Sequence, residues 1–295
     1  MNSKTTRRKL LGGAAATASA ALAGCSGMTP FVGQQLAHTE TVSSDDVERL
    51  SVDTTSGEIT VTGGDHDEIG VDVEKQSSSI RTDLEDLTLQ TEQTDGTLEL
   101  RSEWDGSLGW FESQPSMNLE IDLPREIELE EIRTSVGRVT VADVTGDLEV
   151  DTSTGRVTAR DIDGDLEVDT TTGRVDITDV DGAVGADTTT GRVEIRDVEL
   201  LEDVSTTTGR IETDVPAIDG DTEITASTGR IEAAISPDVD AELSVRTNTG
   251  RLEIDDLELT DATRGDDLVT GTLGDGGPEL RFETSTGRIT LTTLE

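Results

Sequence analysis

From residue 46 onward the chain alternates polar and aliphatic residues in short runs, many of which open on a glycine. Gly155-Arg156-Val157-Thr158-Ala159 begins one nine-residue half, and Gly164-Asp165-Leu166-Glu167-Val168 begins the next. A period of two sends successive side chains to opposite faces of a strand, and glycine accepts the backbone of a tight turn. Each half is therefore predicted as a short strand following a turn. Gly followed by Arg and an aliphatic residue recurs at Gly137, Gly155, Gly173, Gly191 and Gly209, always 18 residues apart. It returns at Gly229, Gly250 and Gly287 after intervals of 20, 21 and 37 residues. The last interval reads as two turns with an insertion. Thr55-Ser56-Gly57-Glu58-Ile59 is a diverged earlier copy.

Repetition this regular predicts an all-β fold, a parallel β-solenoid (right-handed, β-helix-like) with 18-residue turns. Coils stacked about 4.8 Å apart lay like over like. Val157, Val175 and Val193 then form one inward column, and Leu148, Leu166 and Val184 another. Thr152, Thr170, Thr188 and Thr206 share a register, and their hydroxyls are expected to bond along the column. A hexapeptide helix needs a period of six, and a propeller blade needs about 40 residues. An antiparallel meander would not hold a side-chain phase of 18. Residues 46–132 read as diverged turns, 133–255 as regular repeats and 256–295 as a C-terminal cap, together one solenoid domain over 46–295.

The first residues read as an address. Thr6-Arg7-Arg8-Lys9-Leu10-Leu11 resembles a twin-arginine export signal, with Arg7 and Arg8 ahead of an apolar run from Leu10 to Leu22. That run is shorter than the roughly 20 residues a spanning helix needs. Leu22-Ala23-Gly24-Cys25 resembles a lipobox, and Cys25 is the only cysteine in the chain. Residues 1–24 are thus expected to be a signal peptide and Cys25 the lipidated residue. Two acyl chains hold a protein to a membrane stably. Residues 25–45, rich in Gly, Gln and Ser without periodicity, read as a flexible tether. The expected location is the outer face of the cytoplasmic membrane.

Charge changes the picture. The 295 residues carry 64 Asp plus Glu against 23 Lys plus Arg, a formal net charge of −41. The acids alternate with Val, Ile and Leu, as in Asp147-Leu148-Glu149-Val150-Asp151, which marks half-buried strands rather than a disordered tail. Concentrated salt screens such self-repulsion, so the chain reads as halophilic, with an ordinary acidic envelope protein as the alternative. A surface this acidic repels phosphates, which excludes nucleic acid as a partner. One cysteine and two histidines leave no disulfide framework and no Cys/His zinc site.

The candidate chemistry is correspondingly thin. Arg138, Arg156, Arg174, Arg192, Arg210, Arg230, Arg251 and Arg288 form a column that either grips a regular polyanion or neutralises flanking acidic columns. Acidic corners such as Asp161-Ile162-Asp163-Gly164-Asp165 offer oxygens to calcium, which needs six to eight. The paired glycines of calcium-binding β-rolls are missing. His38 in the tether and His66 in an early turn have no evident catalytic partner. Trp104, Trp110 and Phe111, on an irregular segment, are the candidate binding surface or an end cap. Arg264-Gly265-Asp266 matches a cell-attachment tripeptide that a Gly- and Asp-rich chain also supplies by chance. No catalytic, cofactor or metal residues are assigned.

Asn118-Leu119-Glu120-Ile121-Asp122-Leu123-Pro124, Leu129-Glu130-Glu131-Ile132-Arg133-Thr134-Ser135 and the Thr-Gly turns resemble a bacterial and archaeal family called "putative adhesins" over residues 46–295. The resemblance implies a β-solenoid on an envelope lipoprotein, here of haloarchaeal type, and transfers no catalytic residue. The expected function is a binding or structural one, adhesin-like and not enzymatic, with envelope glycans or proteins as partners. A calcium-dependent surface module is the alternative, and a polysaccharide-active enzyme a more distant one.

Overall fold

The computed structural model describes residues 33–106 and 114–294. The strands are β1 (Gln34–Ser43), β2 (Arg49–Gly64), β3 (Glu68–Ser77), β4 (Leu87–Thr94), β5 (Thr97–Trp104), β6 (Ser116–Pro124) and β7 (Glu128–Thr145). They continue as β8 (Leu148–Asp163), β9 (Leu166–Val215), β10 (Thr222–Ile235), β11 (Ala241–Ile254), β12 (Thr260–Arg264), β13 (Leu268–Leu273) and β14 (Glu279–Thr293). All pair into one sheet whose main path runs β1-β3-β6-β2-β7-β8-β9-β10-β14-β11-β13-β12, with β5 on β2 and β4 on β5. The long parallel run from β2 through β11 is the expected solenoid.

The period of 18 is the offset between hydrogen-bonded partners. Gly155 lies against Gly137 and Gly173 against Gly155, while Val157 lies against Val139 and Val175 against Val157. Each coil turns its alternate residues inward. In the coil of β8, Leu148, Val150, Thr152, Val157, Ala159 and Ile162 are buried, and their equivalents in β9 are buried too. The predicted aliphatic columns therefore form the core. Its members join one cluster that extends from Val42 to Leu291. A single coil encloses only a few such side chains, so the core becomes stable by stacking.

The Gly-Arg turn owes its glycine to close approach. A Cβ on Gly155 would sit 1.8 Å from the backbone oxygen of Gly137, and one on Gly173 2.0 Å from that of Gly155. The other bend of the coil uses aspartate. Asp143, Asp161, Asp179 and Asp197 have φ of 57°, 54°, 57° and 52°. Aspartate is among the few non-glycine residues that enter this left-handed region readily. These bends let β9 pass through almost three coils without a break in pairing.

Four expectations are corrected. First, the ends are only in part diverged parallel turns: β2 pairs in parallel with β5, β6 and β7, but the strands beyond run the other way. β1–β3, β3–β6 and β4–β5 are antiparallel at one end, as are β11–β13 and β12–β13 at the other. Period-two alternation does not encode strand direction, and hairpins at the ends cover edges that a bare coil would leave unpaired. Second, the interval of 37 is not two successive coils. Gly287 pairs with Gly229, and Gly250 pairs with Gly287, so β14 lies between β10 and β11. The cap expected over 256–295 thus splits into an end hairpin, β12–β13, and an internal coil, β14. Third, β1 occupies residues assigned to the tether, held by ten register pairs from Gln34↔Ser77 to Ser43↔Glu68. Fourth, the threonine hydroxyls do not chain together. Thr54 donates to Thr134 at 3.1 Å, but the hydroxyls of Thr152, Thr170, Thr188 and Thr206 are buried without a partner. Across a coil spacing of about 4.8 Å two hydroxyls come within hydrogen-bond reach only where the side chains lean toward one another, as Thr54 and Thr134 do.

Candidate binding surface along the glycine–arginine corner

The corner after each inward threonine carries two exposed small residues, then Gly, then Arg. The arginines stack in the order 138, 156, 174, 192, 210, 230, 288 and 251. Two residues further on, a second outward row holds Thr140, Thr158, Asp176, Glu194, Glu212, Glu232, Thr290 and Glu253. The Arg row and this partly acidic row lie side by side because i and i+2 share a strand face.

The middle of the column is densely paired. Arg174 Nε donates to Asp176 Oδ1 at 2.7 Å, and its Nη2 to Glu194 Oε2 at 3.2 Å. Arg192 lies 2.9 Å from Glu194 and also donates to Glu212. Arg210 Nη1 donates to Glu212 Oε1 at 2.9 Å. Burial works to raise the Glu212 carboxyl, but Arg210 and Arg192 together hold it below the ordinary range. The predicted neutralising role is therefore real here.

Both ends are paired more loosely. Arg138 contacts Glu58 at 3.2 Å, and Arg156 makes no ion pair among the described residues. Its row positions, Thr140 and Thr158, supply hydroxyls instead of carboxylates. At the far end Arg288 and Arg251 share one carboxylate, Glu253, at 3.7 and 3.6 Å. The turns around Gly209, Gly229, Gly287 and Gly250 form an open trough floored by backbone and walled by their arginines.

The adjoining strand of each coil carries the opposite charge. Glu149 pairs in register with Glu167, and Asp151 with Asp169. Burial raises the Glu167 carboxyl, as do Asp169, Glu202, Asp187 and Glu149. Burial likewise raises Asp169, with Asp187, Asp151 and Glu149 adding to it. Arginine enters this face only at its margins, as Arg133 beside Glu131 and Glu149, and Arg281 beside Glu223 and Glu283.

In the corner 161–165 considered for calcium, Asp161 accepts from Arg160 at 3.0 Å and Asp165 is tied to the backbone, as are acids at the bends of other coils. Asp147 Oδ1 accepts from the Asp165 N–H at 3.1 Å, and Asp165 Oδ1 from the Ala183 N–H at 2.8 Å. Asp203 and Asp221 accept likewise from Glu223 and Glu279, each at 2.8 Å. Among the described residues no group of three or more His, Cys, Asp or Glu is placed to hold a metal ion. Sequence reasoning missed these rungs between coils. Their signal was an Asp recurring next to the second turn glycine.

The remaining candidates scatter. Trp104 ends β5 half-buried against the core, and a Cβ on Gly106 would sit 2.2 Å from its ring. Trp110, Phe111, Cys25, Arg7 and Arg8 lie outside the described residues. His38 acquires a partner, Glu40, at 2.9 Å, from the strand that replaced the tether. Lys75, the only lysine among the described residues, is buried on β3. Burial lowers its amine against the pull of Glu40 and Glu85.

Comparison with known proteins bears on the family. A structure from Clostridium sporogenes, named a "putative cell adhesion protein", is 10% identical, covers 88% of this chain and 100% of its own, and has a TM-score of 0.25. A "putative adhesin" from Bacteroides fragilis is 15% identical, with coverages of 88% and 97% and a TM-score of 0.47. Another, from Parabacteroides merdae, is 12% identical, with coverages of 88% and 96% and a TM-score of 0.33. No curated protein matches. The assignment rests on the family model described as Toastrack DUF4097, which matches residues 47–292 and so takes in every coil from β2 to β14. This chain belongs to the Toastrack DUF4097 family.

Proposed function

We propose that the chain is exported, held by a lipid on Cys25 to the outer face of the cytoplasmic membrane, and serves there as an adhesin-like rod in a high-salt envelope. Its role is binding or structural rather than catalytic. One observation carries this reading: a single corner repeats Gly and Arg in register through eight consecutive coils. Such a surface recognises by repetition, whereas catalysis needs unlike groups converging on one reacting atom. The anchor fits the same reading, because an N-terminal lipid leaves the length of the rod free to face outward.

Fractionation of cells making the full chain tests the location. The native protein is expected with membranes and open to protease added to intact cells. Cys25→Ser is expected in the medium. Deletion is expected to reduce adhesion of whole cells to envelope material. A chain that stays in the cytosol, shielded from protease, overturns the proposal.

A further inference from the structure

The glycine–arginine corner is more specific than a rod surface needs to be. Residues 135–138, 153–156, 171–174, 189–192, 207–210, 227–230, 285–288 and 248–251 follow one another in space and contain no Asp or Glu. In a chain of net charge −41 this is a continuous carboxylate-free strip. It is about 34 Å long at the usual strand spacing. Across it lie two rows of exposed Ser, Thr or Asn, with Val136 the one exception, then the glycine floor, then the arginines. Those arginine side chains with ion pairs are 34% to 68% exposed, so they remain reachable from solvent.

Neutralisation along the strip is uneven. Arg174, Arg192 and Arg210 are ion-paired with neighbouring carboxylates, although the buried Arg192 Nε has no hydrogen-bond partner. Arg156 has none among the described residues, Arg138 reaches only Glu58, and Arg288 and Arg251 divide Glu253. The surplus positive charge sits at Arg156 and at the Arg288–Arg251 pair, where threonine replaces the acid of the second row at Thr158 and Thr290. Guanidinium prefers a planar anion it can grip with two parallel hydrogen bonds.

We propose that this strip binds a linear acidic polysaccharide. Arg138 and Arg156 take carboxylate or sulfate groups at one end, and Arg288 and Arg251 at the other. The assignment rests on the surface role proposed above and names its ligand. Three features favour a glycan over other polyanions. Hydroxyl rows match a ligand that is itself dense in hydroxyls. The side-chain-free glycine floor lets a sugar ring lie close to the backbone. A pyranose unit is about as long as the coil pitch, so successive units meet equivalent groups. A protein partner would want aromatic or aliphatic anchors at the centre of its footprint, and the strip offers only Val136. A single-stranded nucleic acid would want aromatic platforms for its bases, and the strip has none. Molar salt shortens the screening length to about 3 Å. The acidic remainder of the rod then no longer repels the ligand from a distance, while bonds made at contact persist.

Calorimetry of the full chain in molar NaCl tests this, with polygalacturonate and dextran sulfate as acidic probes. Neutral dextran, polyphosphate and single-stranded DNA are the controls. At least one acidic glycan is expected to bind at least tenfold tighter than every control. The double variant Arg156→Gln/Arg288→Gln is expected to weaken it at least tenfold, with circular dichroism unchanged because neither arginine holds a tight pair. Arg192→Gln, whose charge is already taken, is expected to change binding less than twofold. Arg156→Lys is expected to fall between wild type and Gln, since it keeps charge but loses the fork. Equal binding of neutral dextran overturns the proposal. So does polyphosphate or DNA that matches the glycans, or full affinity in a folded double variant. The two proposals fail separately: a surface protein silent to glycans loses this site alone, and a cytosolic chain that binds them loses only the location.

Discussion

Two faces of the same coils solve the same electrostatic problem differently. Stacking like over like brings identical charges within about 4.8 Å along every column. On the arginine face the neighbouring row carries the opposite sign through the central coils, so Arg174, Arg192 and Arg210 bridge sideways and between coils to Asp176, Glu194 and Glu212. On the acidic face Glu149, Asp151, Glu167, Asp169 and Asp187 have no such row. Burial, with these like charges added to it, shifts Glu167 and Asp169 upward, opposite in direction to Glu212, whose arginines overcome its burial. Identical backbone periodicity therefore does not fix the electrostatics of a solenoid; the pairing between adjacent rows does.

The largest effect is expected at the glycines that bring the arginine face so close to its neighbour. In Gly173→Ala the new methyl would collide with a backbone oxygen, not a movable side chain. Relief requires parting two coils. A loss of ~4 kcal/mol or more is expected by chemical denaturation, in the range of severe core disruption. Gly220→Ala, with nothing within 4 Å of its added Cβ, is the control and is expected to change stability little. Comparable losses from both would show that the column is not tightly stacked.

How much of this was legible in the sequence depends on what each pattern encodes. Alternation identified Val157, Leu166 and Val175 as interior because burial follows side-chain parity, and parity is explicit in the chain. The Gly-Arg phase gave the register for the same reason. Strand direction has no such mark, so the antiparallel ends went unseen. The placement of β14 was hidden because Gly250 and Gly287 carry equivalent motifs, and either order preserves every Gly–Gly contact. Aspartate in the left-handed bend was readable in principle from Asp143, Asp161, Asp179 and Asp197 recurring at 18 residues. Acidity drew attention to ions instead of to the backbone. The arginine column was visible, but its uneven neutralisation required knowing which coil lies beside which.

Charge on the acidic face supplies the next prediction. Glu167 and Asp169 hold protons more tightly when folded than when unfolded. Their contribution to stability is present at and below the ordinary carboxylate range and is lost as pH rises through their raised values. Above those values both carry charge and repel. Glu167→Gln is therefore expected to stabilise the rod at pH 7, at the lowest salt in which it stays folded, by a few tenths to about 1 kcal/mol, the scale of exposed charge pairs. The gain is expected to shrink as pH falls toward 4 and in molar NaCl, where screening already removes the repulsion. Glu212→Gln should do the reverse, since its arginine partners favour the ionised form: a loss at pH 7 that fades in acid. Thermal melts across pH and salt check both. The same signs for the two variants would erase the contrast between the faces. For the whole chain, dilution to low salt is expected to unfold the rod, and circular dichroism unchanged at low ionic strength would contradict that.

The threonine column offers an effect of similar size that belongs to neither face. Thr170 is buried, and its hydroxyl has no partner. Replacing an unsatisfied buried hydroxyl by a methyl of the same shape removes a desolvation penalty without opening a cavity. Thr170→Val is expected to stabilise by about 1 kcal/mol. Thr134→Val, which removes the acceptor of the Thr54 hydroxyl, is expected to be neutral or destabilising. Equal gains at both positions would mean that the Thr54–Thr134 bond contributes nothing.

The smallest expected effect is the most informative about the arginine face. Arg156 makes no ion pair among the described residues, and its exposed side chain touches no buried carboxylate. Arg192 lies between Glu194 and Glu212, both mostly shielded from solvent. If the column exists to neutralise acids, each arginine should matter in proportion to the acids it meets. Arg192→Gln is then expected to cost about 1 kcal/mol or more, because two carboxylates lose a shared partner, whereas Arg156→Gln should stay within about 0.5 kcal/mol of wild type. A stability-neutral arginine kept in an otherwise perfect register has its explanation outside the fold, in what the strip meets. Equal losses from the two variants would instead return the whole column to a structural role and remove the reason to look for a ligand there.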